Sequence, residues 1–155
     1  MKVTKRASDD VIEQLIKPSE GLRLKAYPDP QSGGKPWTIG YGHTKGVKKG
    51  DICTKDMADT WLREDIKWAE DAVNQLAKVP LTQSQFDALV DFVFNIGRPR
   101  FALSTMLRKL NAKDYTGAAA EFARWTYRAL PGTLIRRDKE KEWFLKDGLS
   151  GTCAT

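Results

Sequence analysis

The clearest pattern in the chain is an apolar stripe at helical spacing: Phe86, Leu89, Val90, Val93 and Phe94 fall at i, i+3, i+4, i+7 and i+8. Thr82, with Gln85 three places on, forms a capping-box signature in front of it, and Gly97 supplies a natural stop. The same logic predicts an N-terminal helix opened by Asp10 and Glu13. It carries Val11, Ile12, Leu15 and Ile16 and ends or kinks near Pro18, just before Glu20 and Gly21. Thr54 caps a long segment in which Met57, Trp61, Trp68, Ala72 and Leu76 fall near one face. Further helices are predicted over 104–110, 114–125 and 133–145, so the chain after Asp51 reads as helix almost to its end.

Between Leu22 and Gly50 the pattern changes. Glycine and proline recur at Pro28, Pro30, Gly33, Gly34, Pro36, Gly40 and Gly42. Between them Leu22–Tyr27 alternates over four positions, and Trp37–Tyr41 combines aromatic with β-branched residues, which together predict a small antiparallel sheet. The expected fold is α+β. A small N-terminal antiparallel β lobe (about 20–50) stands beside a larger mostly helical lobe (about 1–19 and 51–155). Both belong to a single domain, with a cleft between the lobes suited to an extended polymer.

A chain of 155 residues needs no disulfide or metal to complete a core. Cys53 and Cys153 therefore read as free thiols of a reducing compartment. No apolar run long enough for a signal peptide or membrane span follows the basic Met1–Arg6 start, so a cytoplasmic protein is expected. The net charge of +6 favours an anionic partner: nucleic acid, an acidic membrane or the bacterial wall. The cations look spread along the chain, and the densest run, Arg136–Lys141, is interleaved with acids and reads as a solvated helix face. With no recognised binding motif, nucleic acid is not an expected partner.

Glycoside hydrolysis needs one carboxyl to protonate the leaving oxygen and a second carboxylate to direct water or attack the sugar. Glu20 at a helix-to-strand junction and Asp29 in a Pro/Gly-rich turn are candidates, with Thr38 beyond them as a hydroxyl able to donate and accept. On position alone, two carboxylates among 20 acids are more often solvated turn and cap residues, and Thr38 a plain strand residue. His43 is the sole histidine and reads as structural. A single His argues against a zinc amidase, and neither cysteine stands in a recognised nucleophile context. Phe94 reads as core, as do most of Trp37, Trp61, Trp68, Trp125 and Trp143.

The surrounding string shifts this balance. Glu20-Gly21-Leu22-Arg23-Leu24-Lys25-Ala26-Tyr27-Pro28-Asp29, followed by Trp37-Thr38-Ile39-Gly40-Tyr41-Gly42-His43-Thr44, resembles the signature of phage-type lysozymes. These form glycoside hydrolase family 24, which includes the T-even coliphage enzyme and many endolysins. The resemblance continues through Phe94–Gly97, Ser104–Leu107, Phe122–Trp125 and Arg136–Glu140, and so covers nearly the whole chain in order. It implies a lysozyme-like fold and hydrolysis of the β-1,4 bonds of peptidoglycan, with no cofactor and no metal. Glu20 would be the general acid, and Asp29 with Thr38 would position water on the opposite face of the sugar, with inversion. It also implies a monomer held in the host cytoplasm until a separate membrane protein opens a path to the wall. One departure stands out: eight residues separate Asp29 from Thr38, against five in the T-even enzyme, and this lengthens the hairpin tip.

Two alternatives remain open. A lytic transglycosylase would use Glu20 alone and would have no water for Asp29 and Thr38 to position. A cationic protein would act on anionic membranes through its basic C-terminal helix, Thr133–Lys146, either without catalysis or as an auxiliary to it.

Overall fold

The computed structural model describes residues 4–126 and 131–148. Helix α1 (Asp9–Val11) starts from Ser8, whose side chain accepts from the Val11 amide, so Ser8 rather than Asp10 is the cap. The helix runs on through a π-helical turn (Ile12–Ile16) into α2 (Lys17–Glu20). Pro18 does not end it. A widened turn directly before a proline is where a helix can accommodate a residue that lacks an N–H and crowds the carbonyl four positions back. Glu20 is thereby the last helical residue.

Two strands follow, β1 (Arg23–Tyr27) and β2 (Thr38–Gly40), antiparallel, with Arg23 opposite Gly40 and Tyr27 opposite Thr38. The predicted long helix after Thr54 is two, α3 (Lys55–Asp65) and α4 (Lys67–Leu76), broken at Ile66. Of the residues predicted to share one face, Met57 and Trp68 are 42% and 44% exposed. Next comes α5 (Gln83–Ile96), with both halves of the Thr82/Gln85 capping box formed. The short α6 (Arg98–Ala102), absent from the sequence reading, has its proline in the first turn, where the missing N–H costs nothing. Helices α7 (Thr105–Asn111) and α8 (Tyr115–Ala120), a 3₁₀ turn (Glu121–Arg124) and α9 (Pro131–Leu145) complete the order.

The chain forms two compact units, residues 17–67 and residues 1–16 with 68–155. In the second, α5 is buried on nearly every side, from Ser84 through Val93, as befits a helix at the centre of a bundle. Phe92 is its hub, meeting Phe122 edge-on at 5.2 Å and Trp125 at 5.7 Å. Phe94, by contrast, is half-exposed at the end of the stripe and lies tilted against Trp68. In the first unit, Ile39, Tyr41, Ala58, Leu62 and Ile66 pack between the hairpin and α3.

Candidate active site

Glu20, Asp29 and Thr38 all belong to the 17–67 unit. Glu20 ends α2, where Gly21 at φ +74° closes the helix and its N–H returns to the Lys17 carbonyl at 2.8 Å. Its carboxylate lies against the turn after β2: a Cβ placed on Gly42 would stand 3.2 Å from Glu20 Oε2. Gly42 also sits at φ +84°, a conformation that L side chains rarely adopt, so the backbone there favours glycine.

Asp29 lies two residues beyond β1, and Thr38 opens β2 opposite Tyr27, so the hairpin brings both to one end of the sheet. The lengthened tip between them is bonded to itself. The Asp29 N–H donates to the Gly34 carbonyl (2.9 Å), its carbonyl accepts from Gly33 (2.8 Å), and its Oδ2 accepts from the Ser32 amide (3.1 Å). Among the described residues Asp29 Oδ1 accepts no hydrogen bond, which leaves one carboxylate oxygen for another partner. Glu20, Asp29 and Thr38 are each partly buried.

His43 is structural, as its place in the motif suggested. Its Nδ1–H donates to Asp65 (2.7 Å), and its ring stacks on Trp61 with centroids 4.6 Å apart and planes 10° apart. Its backbone exchanges two hydrogen bonds with Ile39, which ties down both ends of the turn that holds Gly42. Beneath α2, the buried Lys17 reaches Asp59 at 2.8 Å, and Lys55 takes the second Asp59 oxygen at 3.0 Å. These bonds, Lys17 foremost, hold the Asp59 carboxyl below its usual range. Sequence reasoning missed Lys17, Asp59 and Asp65, and noted Gly42 only as a turn residue within the motif. Only the Lys55/Asp59 pair at i, i+4 carried a local signal.

The run Arg136–Lys141 is a solvated face only in part: Asp138, Lys139 and Lys141 are exposed, but Arg136, Arg137 and Glu140 are buried. Arg136 grips Asp91 with two hydrogen bonds (3.0 and 2.7 Å), while Arg137 pairs with Glu140 (2.8 Å), bonds Asn95 and lies 5.0 Å over the Phe92 ring. Arg136, Arg137, Asp91 and Glu140 are all buried. Burial, and then the nearby Asp91 carboxylate, push the Glu140 carboxyl upward, while burial pulls the Arg137 guanidinium down. Near Asn95 the same unit holds a cavity of about 620 Å³ lined by Arg100, Arg124, Trp125 and Thr126 among others. Cys53 is buried with a free thiol, and Cys153 lies outside the described residues.

The fold, a small antiparallel hairpin among helices, is α+β and of the lysozyme kind. The family model for phage lysozyme matches residues 17–140. An endolysin of Acyrthosiphon pisum secondary endosymbiont phage 1 is 48% identical over 137 residues, covering 84% of this chain and 92% of the relative. An endolysin of Salmonella phage P22 is 45% identical with the same coverage. The solved muramidase domain of SpmX from Asticaccaulis excentricus superposes with a TM-score of 0.83 at 42% identity, over 90% of this chain and 97% of that one. The chain belongs to the phage lysozyme family and is a glycoside hydrolase of the muramidase class.

Proposed function

We propose that this protein is an endolysin that hydrolyses the β-1,4 bond between N-acetylmuramic acid and N-acetylglucosamine, releasing phage progeny by host lysis. The observation that carries this reading is the division of the hairpin's two ends. Glu20 is set under the Gly42 turn, while Asp29 with an open Oδ1 stands at the Thr38 end. Glu20 delivers a proton to the leaving glycosidic oxygen. Water held by Thr38 Oγ1 and Asp29 Oδ1 attacks the anomeric carbon from the opposite face and gives its proton to Asp29, so the configuration inverts. The chain acts as a monomer and collects in the host cytoplasm until a separate membrane protein opens the way. Among the described residues no helix is long and apolar enough to cross a membrane.

The test is digestion of purified peptidoglycan by wild type and by Glu20→Gln, with the fragments identified by mass. Reducing muramic ends are expected from the wild type, with the rate falling at least about a hundredfold in the variant. Anhydro ends would make the enzyme a transglycosylase and remove the roles of Asp29 and Thr38. Undiminished digestion by Glu20→Gln would remove that of Glu20.

A further inference from the structure

The cations of this protein are not spread evenly. Residues 21–50 contain six, Arg23, Lys25, Lys35, Lys45, Lys48 and Lys49, against one acid, Asp29, so this stretch holds a net +5 of the chain's +6. All six are exposed. Among the described residues none of the six forms a salt bridge, as is true also of exposed cations elsewhere such as Lys67, Arg98 and Arg100; what sets the stretch apart is that its cations are gathered with a single acid. Like charges gathered without partners repel one another and weaken the fold, and an anionic ligand relieves that cost.

The sheet carries part of this charge. The pairing of β1 with β2 shifts register between Arg23 and Tyr27; across that shift the Arg23 guanidinium lies over the Tyr27 ring at 4.5 Å, and Lys25 between them is exposed. Lys25 is bridged to Ile52, which is 74% exposed on the same face. The segment before Ile52 carries Lys48 and Lys49. It is pinned to β1 by the Ala26 N–H on the Asp51 carbonyl and the Cys53 N–H on the Leu24 carbonyl, both at 2.9 Å. At the far end of the strand Tyr27 is paired with Thr38, two residues before Asp29. Arg23 and Lys25 therefore lie on the strand that ends two residues before Asp29.

We propose that this face docks the carboxylates of the stem peptides of peptidoglycan, with Lys25, Lys48 and Lys49 as its principal contacts. The proposal rests on the muramidase reading above and deepens it. The wall's glycan carries short peptides with free carboxylates at regular intervals, and this stretch offers them a surplus of exposed cations. Exposed ion pairs are individually weak and screened by salt, so the face works as a set.

The experiment combines Lys25→Glu, Lys48→Glu and Lys49→Glu in the Glu20→Gln background, so that binding is read without digestion. A milder Lys→Gln set at the same positions serves in case the reversals disturb folding. Each protein is pelleted with purified Gram-negative sacculi, with chitin as peptide-free strands that carry no carboxylate, and with anionic phospholipid vesicles. Binding to intact sacculi is expected to weaken about tenfold at roughly 10 mM salt and to differ little near 1 M, where the Debye length is about 3 Å. Binding to peptide-free strands is expected not to respond to the substitutions. Unaltered pelleting of intact sacculi, an equal loss on peptide-free strands, or a loss confined to vesicles would overturn the proposal. Failure of the underlying reading looks different, since Glu20→Gln would then digest the sacculi during the assay.

Discussion

Gly42 is the residue on which the position of Glu20 most directly depends. A methyl group there would stand 3.2 Å from Oε2 at a backbone φ of +84°. Gly42→Ala therefore forces either the carboxylate or the turn to move, at a backbone cost of about 1–2 kcal/mol. Oε2 must give by a few tenths of an ångström while the turn carries the backbone strain, so on the proposed reading kcat should fall several-fold while KM changes little. Steady-state rates on soluble glycan fragments, read beside the melting temperature, check this, and an unchanged kcat would detach Gly42 from the general acid. Asp59 makes a pH prediction. Its folded pKa is depressed, chiefly by the Lys17 bond, so its contribution is full above the unfolded value of about 3.9 and is lost as pH falls through the folded value. Wild type should melt above Asp59→Asn at neutral pH, and the two curves should converge in strong acid. At this scale the sequence showed Glu20, Asp29 and Thr38 only through the string around them. Lys17–Asp59 and His43–Asp65 are contacts between residues 42 and 22 positions apart, and no local pattern records such a pairing.

Among the elements, α5 and α9 are joined by the buried charges that sequence reading placed in water. Charge runs are solvated as a rule because burying an ion is costly. Here Asp91, 45 positions before Arg136, supplies the missing partner, and no helical wheel of α9 alone could reveal it. Arg136→Met should destabilise by about 3–5 kcal/mol, because Asp91 is left buried and charged beside Glu140. The double change with Asp91→Leu should recover most of that loss, since it removes both charges and the repulsion that raises Glu140. Denaturant unfolding of the two singles and the double closes the cycle, and strict additivity would mean that the pair does not couple. What was legible was local: the Thr82/Gln85 box, the α5 stripe and the Ser104 and Asp114 helix starts all formed. The passage of the first helix through Pro18 and the break at Ile66 depend on tertiary packing, which periodicity does not encode.

At the scale of the whole molecule, the distribution of charge separates the two ways a basic protein could lyse a cell. Direct action on a membrane needs a cationic amphipathic helix, in which each exposed Lys or Arg near an anionic surface contributes about 1 kcal/mol. Residues 131–148 do not present that face. Arg136 and Arg137 are turned inward, and the exposed Lys139, Lys141 and Lys146 are matched by the exposed Asp138, Glu142 and Asp147. Leu134 and Ile135 are exposed, but without surplus charge to bring them to a bilayer. The surplus positive charge lies on residues 21–50 instead, the stretch that holds Asp29 and Thr38, so on the proposed reading attraction to an anionic partner and cleavage of a glycan are served by the same unit. Glu20→Gln should therefore leave vesicles of anionic phospholipid sealed at concentrations where the wild type clears sacculi, as measured by release of a trapped dye. Leakage caused equally by both proteins would restore the membrane as a second target and move the search for its cause to α9.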